Sequence, residues 1–179
     1  MRSWVKHAIV FVGCAVQATA VAAQSPLDPL RPLLGVWDTR DVYYPAAGDS
    51  SIETGVRTCE FVMNDTYIQC ETRASRAGGR ERTYRFMINY NRNTARFEML
   101  SLWSNVPHKA VYALTAQPGT NRWRVIDVAT IGVDDDGAHF SDLVFESPVS
   151  INWTGRRVAR GQDPAVAPIS FRETWRKRG

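Results

Sequence analysis

Residues 55–72 read GVRTCEFVMNDTYIQCET, and the fold is decided there. Asn64-Asp65 supplies turn chemistry in the middle of the stretch, so the chain folds back on itself about that point. Cys59 lies as far before the turn as Cys70 lies after it, which sets the two sulfurs directly opposite each other on neighbouring strands. Cys59, Phe61 and Met63 share a face with Ile68 and Cys70, whereas Thr58, Glu60, Gln69 and Glu71 share the other. The stretch is therefore a hairpin with one dry side and one wet side. A four-residue turn over 63–66 places the cysteines at a non-hydrogen-bonded pair, where side chains approach most closely. A disulfide is expected there, adding roughly 3 kcal/mol in the chain-entropy model. It reads as a staple, because no Cys-x-x-Cys or other thiolate-stabilising setting is present.

The same two-residue alternation recurs on either side. A second hairpin turning at 91–94 sets Tyr90 against Ala95, Ile88 against Phe97, Phe86 against Met99 and Tyr84 against Ser101, with Arg85, Asn89, Arg96 and Glu98 on the far side. A third, around Gln117-Pro118-Gly119-Thr120, sets Leu114 against Trp123 and Tyr112 against Val125. A fourth turns at Asp134-Asp135-Asp136-Gly137, and its apolar residues change face near 126–128, the mark of a bulge or a bending strand. The last two strands span 149–154 and 169–176, joined by the long segment 155–168. A helical period is confined to one short turn within 26–34, and no internal repeat is visible. Strands that are each dry on one face must close or stack, and successive hairpins favour a meander. The fold expected is all-β, a single antiparallel up-and-down β-barrel of about 8–10 strands whose floor is closed by a short N-terminal turn. A two-sheet sandwich shows the same alternation and is the alternative.

Arg2, Lys6 and His7 precede an apolar run over residues 8–16 and small residues ending Ala20-Val21-Ala22-Ala23, the pattern of a secretory signal peptide. The organisation expected is a signal peptide at 1–23 and one barrel domain at 24–179, exported to the periplasm or secreted. Cys14, after Phe11-Val12-Gly13, offers the alternative of a lipoprotein anchored through that cysteine. Otherwise Cys59 and Cys70 are the exported chain's cysteines, a pair suited to an oxidising compartment. Membrane contact is expected only through the signal before cleavage. Processing also removes Arg2 and Lys6 from a formal net charge of +4. The arginines are scattered, and apart from Arg176-Lys177-Arg178 there is no basic stripe, which argues against nucleic acid as a partner. A monomer is expected.

At Leu33-Leu34-Gly35-Val36-Trp37 the chain resembles the Gly-x-Trp opening of the lipocalin and calycin superfamily. Arg82-x-Tyr84, the Tyr90-Asn91 turn, Phe97 and Ser101-x-Trp103-Ser104 are similar to a broad group of exported bacterial lipocalin-like domains of unknown function, the DUF1579 type. The resemblance implies that a short turn closes the barrel floor, that Gly35 starts the first strand and that Trp37 packs over the barrel bottom. It also implies that Arg172 or Arg176 stacks on Trp37 as its basic partner, and that the barrel holds a ligand.

Ile169, Phe171, Glu173 and Trp175 share a strand face, which places Glu173 inside. A carboxylate there is costly unless paired, so Glu173 reads either as a general acid or ligand anchor or as half of an internal ion pair. Asp41, alternating with Trp37, Thr39 and Tyr43, raises the same question. His108 alternates with Ala110, Tyr112 and Leu114 and falls at one rim, and His139 follows the 134–137 turn. Two histidines beyond the signal are too few for a three-histidine metal site, while a haem would need only one axial ligand. Asp134-Asp135-Asp136-Gly137 lacks the spacing of a calcium loop and reads as a hairpin turn. With no Gly-rich phosphate loop, nucleophile elbow or paired-cysteine metal spacing, no cofactor and no metal is expected. The glycan sequons Asn64-Asp65-Thr66 and Asn152-Trp153-Thr154 fall in a turn and a strand. Segment 155–168, with Arg156, Arg157 and Arg160, reads as a solvated crossover loop or as a lid with an anion-attracting rim.

Tyr84, Phe86, Met99, Trp103, Tyr112, Trp123 and Trp153 fall on inward faces, and a barrel of this size can hold one small ligand. The function expected is an exported lipocalin-like protein binding a small apolar or aromatic molecule against these seven residues. Two alternatives stand beside it. One is a lipocalin-like enzyme of isomerase or lyase type, with Glu173, Asp41, His108 or Tyr84 in acid and base roles. The other is a barrel filled by its own aromatics, serving as an interaction or inhibitor module.

Overall fold

The computed structural model describes residues 25–105, 109–131, 138–159 and 161–179. The expected signal peptide, Cys14, His108, the 134–137 turn and Arg160 lie outside the described residues.

Leu27, Leu30 and Leu33 recur every three residues, the repeat of a 3-10 helix, and Asp28–Leu33 forms one with a proline in its first turn. All three leucines are buried, each worth about 1.5–3 kcal/mol of transfer free energy. They plug one end of the molecule as the expected floor. Gly35, at φ 123°, turns the chain out of the helix into the first strand.

Ten strands follow in the described residues: β1 (Gly35–Tyr43), β2 (Ser51–Val62), β3 (Tyr67–Arg76), β4 (Arg82–Asn91), β5 (Arg96–Trp103), β6 (Lys109–Ala116), β7 (Arg122–Ile131), β8 (Ala138–Ser147), β9 (Ser150–Val158) and β10 (Ile169–Lys177). Each pairs antiparallel with its neighbour in the chain, and β1 pairs with β10, so the sheet closes on itself with no edge. The fold is a single closed antiparallel up-and-down barrel rather than a sandwich.

The half next to the helix is solid. Trp37 donates its indole N–H to the carbonyl of Leu33 at 2.8 Å, tying floor to wall. Its ring meets Trp175 edge-on at 6.0 Å, and Trp175 meets Trp153 at 6.3 Å. Ile68, Met99, Leu114, Trp123, Val125, Leu143 and Ile151 pack with them. Cys59 and Cys70 are directly opposed with Cα atoms 4.0 Å apart and are joined as a disulfide, as expected. Both sulfurs face this core, their residues only 3% and 1% exposed.

Several local expectations are corrected. Met63, Asn64 and Asp65 all adopt left-handed backbone, so Met63 leaves the strand alternation and is exposed instead of sharing the dry face. In the second hairpin the four-residue turn lies one residue later than expected, at 92–95. The Asn91 side-chain oxygen accepts from the amides of Asn93 and Thr94, and Ala95 adopts φ 51°. Tyr90 therefore opposes Phe97, Ile88 opposes Met99, Phe86 opposes Ser101 and Tyr84 opposes Trp103. In the third hairpin the Gln117 amide donates to the Arg122 carbonyl, and Leu114 opposes Val125 rather than Trp123, with Tyr112 opposite Asp127. Both slips are by two residues, which preserves the face of every side chain. The bulge expected near 126–128 is present. Tyr112 opposes Asp127 and Val111 opposes Ala129, leaving Val128 over. Residues 155–158 belong to β9, so the crossover shortens to 159–168. The cation over Trp37 is Lys177, with Nζ 5.2 Å from the ring, and not Arg172 or Arg176. The reason is parity. Lys177 shares the inward register of Trp175, whereas Arg172 is exposed opposite Val42 and Arg176 donates to the Ser150 hydroxyl.

Candidate functional site in the open half of the barrel

Beyond Trp175 the interior opens into a cavity of about 500 Å³ at the end away from the helix. Its base is set by Arg57, which points inward from β2 because it shares parity with Cys59. The Arg57 guanidinium lies 4.1 Å from the Trp175 ring centroid and 4.7 Å from that of Phe86. One nitrogen donates to Glu173 Oε2 at 3.1 Å, a second sits 2.8 Å from Oε1, and Nε donates to the Thr72 hydroxyl. Of the two readings of Glu173, the geometry is that of the buried ion pair.

Register then brings three acids into one row. Asp41 on β1 is directly opposite Glu173 on β10 and, on its other side, directly opposite Glu53 on β2. Cross-strand neighbours of this kind stand about 4.5–5.5 Å apart at Cβ, so each acid feels the next. The arginines are shared unequally among them. Glu53 accepts from the Tyr84 hydroxyl and has Arg82 and Arg76 at 3.5 and 3.7 Å from Oε1. The Asp41 Oδ1 is shielded from solvent and has no hydrogen-bond partner. Burial first, and then the negative charges of Glu173 and Glu53, push the Asp41 carboxyl up to about 7 against the opposing pull of Arg57 and Arg76. Near neutrality Asp41 is therefore poised between its protonated and ionised forms. Burial and the hydrogen bond to Glu53 push the Tyr84 phenol up to about 12, which keeps it a donor. Burial and the Asp127 charge raise Tyr112 as well.

The remaining wall is aromatic. Trp153 is locked by donating its indole N–H to the Ser141 hydroxyl at 2.8 Å and packs edge-on against Phe86 at 5.3 Å and Phe171 at 5.6 Å. Phe171 lies over Gly155, where a Cβ would come within 2.0 Å of the ring, so the glycine makes the room.

Five of the seven expected lining residues border the cavity: Tyr84, Phe86, Trp103, Tyr112 and Trp153. Met99 and Trp123 do not; they are packed in the solid half below it, Trp123 edge-on to Phe97 at 5.1 Å. Asp41, Glu173 and His139 line it too, while His108 falls outside the described residues. Arg57, Glu53, Arg76 and Arg82 were not anticipated. Their inward parity was the available signal, since Glu53 and Arg57 keep step with Cys59. Among the described residues no group of three or more His, Cys, Asp or Glu side chains converges as a metal site.

No family model matches the chain, and no curated protein matches it. Solved structures do. The barrel is similar to Rv2717c from M. tuberculosis, at a TM-score of 0.62 and 10% identity over 86% of this chain and 97% of that one. It is similar also to the S-type phycobiliprotein lyase CPES from Guillardia theta, at a TM-score of 0.57 and 12% identity over 88% of this chain and 94% of that one. At these identities the likeness is one of fold. The chain has a lipocalin/calycin-like barrel.

Proposed function

We propose that this protein is an exported, monomeric lipocalin-like carrier that holds one small apolar or aromatic molecule in the open half of its barrel. The observation that carries the reading is the cavity itself. At about 500 Å³ it lies inside the usual range of roughly 300–1,000 Å³ for small-molecule sites, with an aromatic wall and a few convergent polar groups. Tyr84, Phe86, Trp103, Tyr112 and Trp153 supply the contact surface in this proposal. A signal peptide at 1–23, ahead of a domain at 24–179, fits the disulfide, since such bonds persist in oxidising compartments. Kinship with exported bacterial domains of unknown function belongs to the same proposal and draws on the residues around Gly35 and Trp37.

The test is titration of the purified protein with an environment-sensitive aromatic dye, together with native mass spectrometry for copurified small molecules. One saturable dye site is expected, abolished by Ala110→Trp, which fills the cavity from β6. A folded protein that binds no dye and carries no guest would sink the reading in favour of a module that acts through its outer surface.

A second reading has one observation behind it. Asp41, with its Oδ1 unbonded and its carboxyl pushed up to about 7, lines the cavity and is suited to pass a proton to or from a bound carbon acid. An Asp41→Asn variant that binds guests normally but turns none of them over would distinguish this lyase- or isomerase-type activity from simple carriage.

A further inference from the structure

Arg57, Arg76 and Arg82 meet Asp41, Glu53 and Glu173 at the polar end of the cavity, and with a proton on Asp41 the arginines outnumber the charged acids. Arg57 is spent on Glu173, and both Arg76 and Arg82 lean on the single carboxylate of Glu53 at distances too long for good hydrogen bonds. The Arg76 Nε–H is shielded and makes no hydrogen bond, and neither do the Glu53 Oε1 that stands 3.7 Å from it and the neighbouring Asp41 Oδ1, while the Arg76 side chain as a whole is 40% exposed. Buried polar groups left unmade are costly, so this end of the cavity is incompletely satisfied by the protein's own groups. An acid that keeps its proton supplies a further donor in place of a repelling charge. Two arginines that share one carboxylate at 3.5 and 3.7 Å leave room for an anion with two oxygens, while the far wall of Trp103, Tyr112, Trp153 and Phe171 suits a flat apolar body.

We propose that the cavity takes an organic acid, its carboxylate set against Arg76, Arg82 and the Asp41 carboxyl and its apolar body against the aromatic wall, so that binding is coupled to a proton on Asp41. The proposal rests on the carrier reading and names the chemical class of its guest. An entering carboxylate raises the proton affinity of Asp41 further, because a second negative charge beside it disfavours ionisation. The acid therefore binds most tightly below about pH 7 and is released as the pH rises and Asp41 loses its proton. The groups facing Asp41 are Glu173 from β10, Glu53 and Arg57 from β2, and Arg76 from β3, with Arg82 and Tyr84 of β4 acting through Glu53. At the mouth stand His139 and Arg157, the remaining basic side chains of the lining.

Three naphthalene probes with one body and different heads test this: 2-naphthoate, 2-naphthylmethanol and 2-naphthylmethylammonium, each titrated by calorimetry from pH 6 to 8. The naphthoate should bind tightest, weaken about tenfold across that range as Asp41 ionises, and show proton uptake on binding. Asp41→Asn should remove that weakening, any remaining slope belonging to His139 and vanishing in Asp41→Asn/His139→Gln. Arg76→Met should cost naphthoate about tenfold and leave the alcohol unaffected. Preference for the ammonium or the alcohol, or a full pH slope in Asp41→Asn, overturns the organic-acid assignment while leaving the carrier reading in place. Binding of none of the three by the folded protein overturns both.

Discussion

Arg57 holds the two halves of the barrel together at a single side chain. It lies between two aromatic rings and neutralises Glu173, with side-chain exposures of 3% and 8% for the pair. Arg57→Met would strand a buried carboxylate and should lower stability by about 3–5 kcal/mol, read from urea unfolding. Arg57→Met/Glu173→Gln should recover most of that loss, because no uncompensated charge then remains. A single-variant loss no larger than that of the double variant would show that packing, and not charge pairing, carries the effect. These residues also mark what the sequence does and does not disclose about the site. The aromatic wall is legible, since alternation assigns Tyr84, Phe86, Trp103, Tyr112 and Trp153 to the interior. The polar cluster is harder, because Arg57 and Glu173 meet through strands far apart in the chain and a lone arginine in an alternating run reads as solvent-facing. Asp41 is recognisable as an inward acid from its neighbours, but its isolation depends on how Arg57, Arg76 and Arg82 divide themselves among the other two acids, which only the closed barrel determines.

At the scale of the element, the β2–β3 hairpin is the piece whose register can be read in advance. It has two fixed marks, the Asn64-Asp65 turn and the opposed Cys59 and Cys70, and the alternation must satisfy both. The β4–β5 and β6–β7 hairpins have only the turn and the alternation. Alternation repeats every two residues, so it fixes the face and leaves slips of two unresolved. The loop geometry decides them. In each the turn centre falls one residue later than the sequence suggests, with Ala95 in the left-handed region and Asn121 taken into the loop. Loss of the β2–β3 staple in Cys59→Ser/Cys70→Ser should lower stability by roughly 3 kcal/mol, seen as an earlier denaturant midpoint. An unchanged midpoint would mean that the core around Ile68 and Trp37 already restrains the unfolded hairpin. Reductant added to the folded wild type should leave the bond intact on the time scale of the folded state, because both residues are shielded.

The whole molecule is graded along its axis, packed at the helix end and hollow at the other. Hydrogen exchange should follow the same gradient. Amides around Trp37, Ile151 and Trp175 should exchange only through global unfolding, and those of Glu53, Ser170 and Phe171 at the open end through smaller openings. Uniform protection from end to end would argue that the cavity does not loosen its wall. A guest in the cavity should raise protection at the open end alone. The buried position of the staple bears on how the molecule is made. Its two cysteines belong to the same buried cluster as the floor leucines and Trp37, 3% and 1% exposed, which shields them from an oxidant in the finished barrel. The bond is expected to form once β2 has paired with β3 and before the barrel closes. Oxidation is therefore a timed step in assembly, and a chain that closes before meeting its oxidant is trapped with two free thiols locked inside.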